Sequence, residues 1–397
     1  MDLQFSPAEE EFATRVRDWL EEKLSGEWSA LRGVGGPANE GHFEERLAWE
    51  KELHAAGWVG LGWPEEYGGR PATPNERIVF ALEYARARGP YRAGFQGTNL
   101  IGPTILAFGT EEQKRRFLPR ILAAEDIWCQ GFSEPEAGSD LAGLRTRAEL
   151  DGDEWVINGQ KIWTSHATDS NWIYVLARTE LQAPQHASLS ILLLPLDTPG
   201  VELRPIRNMA GAEDFNEVFF TDARTPADMI VGERGQGWRI GQATLGHERG
   251  TGNLAYLVQF DAELQSVVEL ARARGVLADP VVRRRLADLA IRLRVMHYTN
   301  FRNLTELMRA GTPGPQSSLL KLSWPHWHQE LTALAMEIAG PASQLVGDGY
   351  ELDRVQTSFL VSRAESIYGG AHQIHLNVVG ERVLGLPREP RPAPTGS

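Results

Sequence analysis

The hydrophobic pattern changes period twice along the 397 residues, and this double switch constrains the fold more than any other feature. From Ser6 to about Leu122 the pattern is helical. Ser6-Pro7-Ala8-Glu9 reads as an N-cap, a proline at the first helical position and an acidic first turn, after which Phe12, Val16, Trp19 and Leu20 share one face. From about Ala123 to Asp228 the texture is β, with short runs such as Trp155-Val156-Ile157, Lys161-Ile162-Trp163, Trp172 to Leu176 and Leu189 to Leu194. Asp151-Gly152 and Asn158-Gly159 are hairpin-turn dipeptides because both residues tolerate positive φ. From about Trp238 to Leu384 long helices return. One begins at Asp279-Pro280 and carries Leu286, Leu289, Ile291, Leu293, Met296, Phe301 and Leu304 at helical spacing. The order predicts helices, then a barrel or sandwich, then a helical bundle.

Composition narrows the function. With 40 Lys and Arg against 53 Asp and Glu the net charge is −13, which disfavours a general nucleic-acid binder. Cys129 is the single cysteine, so disulfide frameworks and cysteine-based zinc sites are excluded, and a cytoplasmic protein is expected. No apolar run approaches the ~20 residues of a membrane span. Asp2 to Lys23 is acidic and amphipathic, unlike a targeting peptide, and Pro387 to Ser397 reads as a disordered tail.

Taken singly, the candidate motifs are modest. Gly232 to Gly237 is glycine-rich but opens no βαβ unit, so it reads as a linker. His326 and His328 are two apart on a helix and face different sides; His372 and His375 can share a face but lack a carboxylate at ligand spacing. Glu248-Arg249 lies early in the bundle region. Phe132 to Asp140 is a loop of small polar residues with two glutamates, and Trp163-Thr164-Ser165 ends a strand with an aromatic plate beside two hydroxyls.

Together and in order, these segments resemble the acyl-CoA dehydrogenase family over nearly the whole chain. Ser133-Glu134-Pro135-Glu136-Ala137-Gly138-Ser139-Asp140 is similar to the family's T-E-P-x-A-G-S-D signature, Asn158 to Ser165 to its N-G-x-K-x-W-I-T/S segment, and Ile367 to Ile374 to its I-Y-E-G-T-x-x-I segment. The resemblance implies a mainly α fold with a middle β-barrel: an N-terminal helical domain over residues 1–122, the barrel over 123–228, a C-terminal four-helix bundle over 229–386 and a tail over 387–397. It also implies FAD. Phe132 and Ser133 would contact the flavin ring, Trp163 and Ser165 would flank it from the barrel side, Ser139, Arg249 and Tyr368 would meet the thioester ligand, and Gln373 would approach the cofactor's phosphate and ribose portion.

The departures from the family pattern carry their own expectations. The family's I-Y-E-G-T segment holds the catalytic glutamate where this chain has Gly369. A subset of the family places the base at the start of the first bundle helix, before an arginine, and Glu248 before Arg249 fits that subset. The implied reaction is α,β-dehydrogenation of an acyl-CoA thioester, with Glu248 taking the α-proton, FAD N5 accepting the β-hydride and the backbone N–H of Gly369 donating to the thioester carbonyl. An electron-transferring flavoprotein would reoxidise the flavin. Arg272 is the candidate for the family arginine that reaches a neighbouring subunit's FAD, and Glu337-Ile338-Ala339-Gly340-Pro341 stands where the family has Q-x-x-G-G. A homodimer or homotetramer follows from the resemblance, and the altered segments leave a hetero-oligomer open. Two alternatives stay open: a cofactor-poor partner subunit, and a dehydrogenase of carrier-protein thioesters.

Overall fold

The computed structural model describes residues 6–36, 41–248, 252–310 and 314–388. They form two compact units, one within residues 4–258 and one within 259–397. The tail expected from Pro387 lies, from Glu389 onward, outside the described residues.

The first unit opens with five helices: α1 (Pro7–Ser25), α2 (Phe43–Ala55), α3 (Pro74–Arg86), α4 (Gly102–Phe108) and α5 (Glu111–Leu122). The start of α1 is a reciprocal capping box, in which the Ser6 amide donates to Glu9 Oε2 at 2.6 Å and Ser6 Oγ accepts from the Glu9 amide at 3.4 Å. Thr73 and Thr110 cap α3 and α5 in the same way. Phe12, Val16 and Leu20 are buried, while Trp19 packs beside Trp49 and Trp58 at ring-centre distances of 5.5 and 6.1 Å.

One sheet follows, made of β1 (Trp128–Gly131), β2 (Arg147–Asp151), β3 (Glu154–Ser165), β4 (Trp172–Arg178), β5 (Leu189–Pro195), β6 (Val201–Ile206), β7 (Phe215–Pro226) and β8 (Ile230–Val231). Its hydrogen-bonded order is β6-β7-β3-β2-β4-β5-β8, with β1 parallel to β4. Cys129, Ala148, Trp155, Ile157, Ile173, Val175, Leu192 and Val218 form a core on one side. On the other, Tyr174, Leu176, Ile191 and Leu193 join the apolar face of the helices. This is the middle β domain that the sequence pattern predicts. Helix α6 (Gly237–Glu248) ends the part of this unit that precedes residues 249–251.

One turn signal behaves differently from its expected role. Asp151-Gly152 does join β2 to β3, with Gly152 at φ 65°. Asn158-Gly159, by contrast, lies inside the continuous strand β3, where Gly159 has φ 148° and Asn158 faces a bulge of β7 at Thr221 and Asp222. A glycine at positive φ suits a strand that faces a bulge as readily as it suits a turn. Here a Cβ on Gly159 would lie 2.5 Å from Thr146 Oγ1 and 2.7 Å from Thr146 Cα.

The second unit is helical. It holds the main part of α7 (Gly252–Ala273), then α8 (Pro280–Ala310), α9 (Ser318–Ala339), α10 (Arg354–Ser362) and α11 (His372–Val378), the last continued by a π turn over Val379–Val383. Leu286, Leu289, Leu293, Met296 and Leu304 are buried on α8 as the repeat predicts, but Ile291 is exposed. Two residues past Leu289 is about 200° around a helix, which carries Ile291 out of the stripe. Phe260 and Trp327 pack 5.1 Å apart, and Trp327 Nε1 donates to Leu289 O at 2.8 Å, tying α9 to α8.

Candidate active site

The first unit gathers two of the motif segments at one place. Phe132 follows β1, is buried, and packs edge-on to Tyr174 at 5.7 Å; the Tyr174 hydroxyl donates to Gln96 Oε1 at 3.1 Å. Ser133 comes next and is half-buried. Its carbonyl accepts from the Ile162 amide of β3 at 3.0 Å, so the loop lies alongside the strand that carries Trp163. Ser139, further along the loop, is exposed.

The strand ends in an unusual way. Strict alternation places Trp155, Ile157 and Lys161 inside, and by the same count Trp163 should point inward. Instead Trp163 has φ 60° and a register shift falls between Lys161 and Thr164, so Thr164 takes the buried place and the indole is 57% exposed. Apart from an edge contact with Phe215 at 6.0 Å, a large apolar ring is held away from the core. Ser165 is half-buried beside it, and the buried Thr164 Oγ1 has no hydrogen-bond partner among the described residues. A half-buried hydroxyl, a projecting aromatic face and an unpaired buried oxygen fit a flat heteroaromatic ring with polar edges.

Glu134 is not free to act as an acid or base. Burial alone would raise its pKa, but Lys161 and the hydrogen bonds it accepts hold it below the usual carboxylate range. Its oxygens accept from the Arg145 amide at 2.6 Å, the Thr146 amide at 2.9 Å and Lys161 Nζ at 2.8 Å. Glu136 instead pairs with Arg145 at the surface, at 2.8 Å.

Glu248 is the last residue of α6, and Arg249 lies outside the described residues. Upstream on the same helix, Thr244 and Thr104 hydroxyls share a hydrogen bond of 2.9 Å, which fixes α6 to α4.

The second unit holds the remaining candidates. Tyr368 lies over Lys321 Nζ, 4.6 Å from its ring centre, and Lys321 also donates to Glu365 O at 2.8 Å. Gly369 and Gly370 follow at φ 62° and 93°. The Gly369 carbonyl accepts from His375 Nε2 at 3.2 Å, while its N–H is unpaired among the described residues, as an oxyanion donor must be. Gln373 on α11 and Arg272 on α7 are both exposed. Glu337 is engaged within the bundle, where Arg285 forms a forked pair with its carboxylate.

Two clusters escaped the sequence reading because their members are far apart in the chain. His326 Nε2 lies 3.1 Å from His372 Nδ1, 46 residues further along the chain. His328 sits buried between Glu263 and Glu365. Among the described residues no group of three His, Cys, Asp or Glu is placed to hold a metal, and no helix is long and apolar enough to cross a membrane.

Comparison with known proteins decides the family. Residues 6–125 match the acyl-CoA dehydrogenase N-terminal domain, 129–223 its middle domain and 235–384 its C-terminal domain. The chain belongs to the acyl-CoA dehydrogenase family. It is 51% identical to acyl-CoA dehydrogenase IpdE1 of Mycobacterium tuberculosis, over 96% of this chain and 98% of that one. Among solved structures it is similar to the Tcur3481-Tcur3483 steroid ACAD, with TM-score 0.84 and 32% identity over 98% of this chain and 100% of that one. It is also similar to the ChsE4-ChsE5 complex of Mycobacterium tuberculosis, with TM-score 0.81 and 30% identity over 98% and 100% of the two chains. As an acyl-CoA dehydrogenase the chain is an FAD-dependent oxidoreductase. The Ser133 loop and the end of β3 are the parts of the first unit whose chemistry suits the flavin ring.

Proposed function

We propose that this acyl-CoA dehydrogenase introduces an α,β double bond into a bulky, steroid-derived acyl-CoA thioester, and that it works in a hetero-oligomer with a sister subunit. The observation that carries the substrate class is the whole-length likeness to a dehydrogenase described as a steroid enzyme. The same likeness, with that to the ChsE4-ChsE5 complex, favours a mixed assembly.

The chemistry follows from what the residues can do. An α-proton is too weakly acidic for a carboxylate at its ordinary pKa of about 4.3. Gly369 has no side chain, so its place supplies no base; its unpaired N–H suits the thioester oxygen where enolate charge develops. Glu248, at the end of α6, takes the α-proton, and a bulky acyl group dries it and raises its basicity. Ser133, Trp163 and Ser165 orient the flavin, with Phe132 behind them; Gln373 and Arg272 serve the remainder of the cofactor. Ser139, Arg249 and Tyr368 meet the thioester. Bound FAD supplies the hydride acceptor. An electron-transferring flavoprotein takes the electrons onward in the cytoplasm.

A second reading, a partner subunit that completes a sister chain's site, is favoured by the engagement of Glu337 with Arg285 at the altered Q-x-x-G-G segment. One experiment separates them. The chain is purified alone and with a sister subunit, then mixed anaerobically with steroid-derived and straight-chain acyl-CoA thioesters. Flavin bleaching by the steroid thioesters that disappears in Glu248→Gln supports the proposal. Bleaching that survives Glu248→Gln but fails when the sister chain's own base is removed supports the partner reading. Equal turnover of straight-chain thioesters overturns the substrate class.

A further inference from the structure

Two buried, charged residues of the matched motifs, Glu134 and Lys161, have no part in the reading above. Lys161 is wholly buried, a rare state for a lysine. Its ammonium donates to Phe132 O at 3.1 Å and to Glu134 Oε1 at 2.8 Å. These two acceptors belong to the residues directly before and after Ser133. The Ile162 amide, next in the chain to Lys161, holds the Ser133 carbonyl itself at 3.0 Å. The turn is therefore gripped at three successive residues by one short piece of β3.

Glu134 extends the grip. Besides Lys161 it accepts the backbone amides of Arg145 and Thr146, so one carboxylate joins the Ser133 turn, the entry to β2 and the middle of β3. The Ser133 hydroxyl has no hydrogen-bond partner among the described residues, although its peptide is fixed on both sides. An apolar pair of the same volume would fill this space as well or better, since desolvation offsets most of the attraction in a buried ion pair. Such a pair would not hold the Phe132 carbonyl or direct the turn. What the ion pair adds is direction, and the direction bears on the residue beside Trp163.

We infer that Lys161, braced by Glu134, is a positioning residue for FAD: it clamps the Phe132–Glu134 turn so that the Ser133 hydroxyl is presented to the flavin ring beside Trp163. This rests on the reading of Ser133 as a flavin contact. Burial pushes the Lys161 pKa down to about 8 against the pull of Glu134, so the clamp depends on Glu134 staying ionised.

The test uses the full-length chain in the assembly that carries FAD, stripped of cofactor and titrated with FAD, with the visible spectrum of the bound flavin and the melting temperature of the apoprotein recorded. Ser133→Ala should weaken FAD binding and alter the bound-flavin spectrum while leaving apoprotein melting near wild type. Lys161→Met should weaken binding on the order of tenfold and produce the same spectral change. The double variant should be no weaker than Lys161→Met, because a hydroxyl already misplaced has nothing further to lose. If Lys161→Met does not fold, Glu134→Gln with Lys161→Met removes both buried charges and carries the same comparison. The clamp is overturned if a folded Lys161 variant binds FAD with wild-type affinity and spectrum while Ser133→Ala does not, or if the two losses simply add. A Ser133→Ala protein that is indistinguishable from wild type overturns the flavin-contact reading instead.

Discussion

The Nδ1 of His328 lies 2.8 Å from the Glu365 carboxylate, and both groups are buried inside the helical bundle three residues or more before the Tyr368-Gly369 turn. On its other side His328 Nε2 is 2.8 Å from Glu263. Lys321 and Arg363 act on Glu365, and Arg354 acts on Glu263. Burial works against a charged imidazole, yet the two carboxylates outweigh it and lift the His328 pKa to about 9.

This sets a direction for stability against pH. The folded pKa is raised above the ordinary value of 6.5, so the contribution is complete below that pH and is lost as pH rises through about 9. Melting temperature should fall across this window in the wild type. In His328→Gln the fall should be smaller, with a lower starting value. A wild-type melting temperature that is flat over the window would refute the charged state of His328.

Replacing Glu248 by Gln keeps the shape of the side chain and removes its capacity to take a proton. Flavin reduction by a good thioester substrate should fall by roughly 10²–10⁴-fold, with FAD content near wild type. Rapid-mixing absorbance measures the first quantity and the flavin-to-protein ratio the second. Reduction at the wild-type rate would remove Glu248 from the reaction.

Trp163 offers a separation between folding and cofactor binding. It is 57% exposed and touches Phe215 only by an edge, so Trp163→Ala should change stability by no more than about 0.5 kcal/mol. Losing an aromatic contact worth ~0.5–1.5 kcal/mol should weaken FAD binding roughly 3–10-fold. Denaturant unfolding of the apoprotein and a fluorescence titration with FAD measure the two effects. A large stability loss without an affinity loss would place Trp163 in the core's service.

Gly159→Val should be among the most damaging single changes in the sheet. It puts a β-branched residue at φ 148° and a Cβ within 3 Å of Thr146, and strain of this kind costs about 1–3 kcal/mol before packing is disturbed. Urea unfolding of the first unit's transition would register it, and a neutral result would mean that β3 can leave this backbone conformation without cost.

What the sequence made readable were local relationships. The N-cap at Ser6 and the α8 stripe depend on residues three or four apart, and the local sequence exposes them. Ile291 slipped through because its apolar side chain fits the composition of the stripe but not its phase. Asn158-Gly159 misled because a glycine at positive φ serves a strand facing a bulge as well as a turn. Partners brought together by topology left no local trace: Glu134 and Lys161 are 27 residues apart, and Glu365 stands 37 from His328. The roles toward the cofactor proposed for Ser133 and Trp163 rest on motif resemblance. Periodicity alone would have sent Trp163 inside.

The two register shifts between β3 and β7 make β3 a ruler. Between Gly159, beside the β7 bulge, and the turn of the backbone at Trp163, one buried amine and one outward ring are set by counting residues. Gln160 and Ile162 can vary in kind, because neither defines the count. An insertion of one residue between 159 and 161 would turn the lysine toward solvent and the indole toward the core together. This stretch should therefore accept substitutions at its half-buried positions while rejecting any change in length, the reverse of what surface loops tolerate.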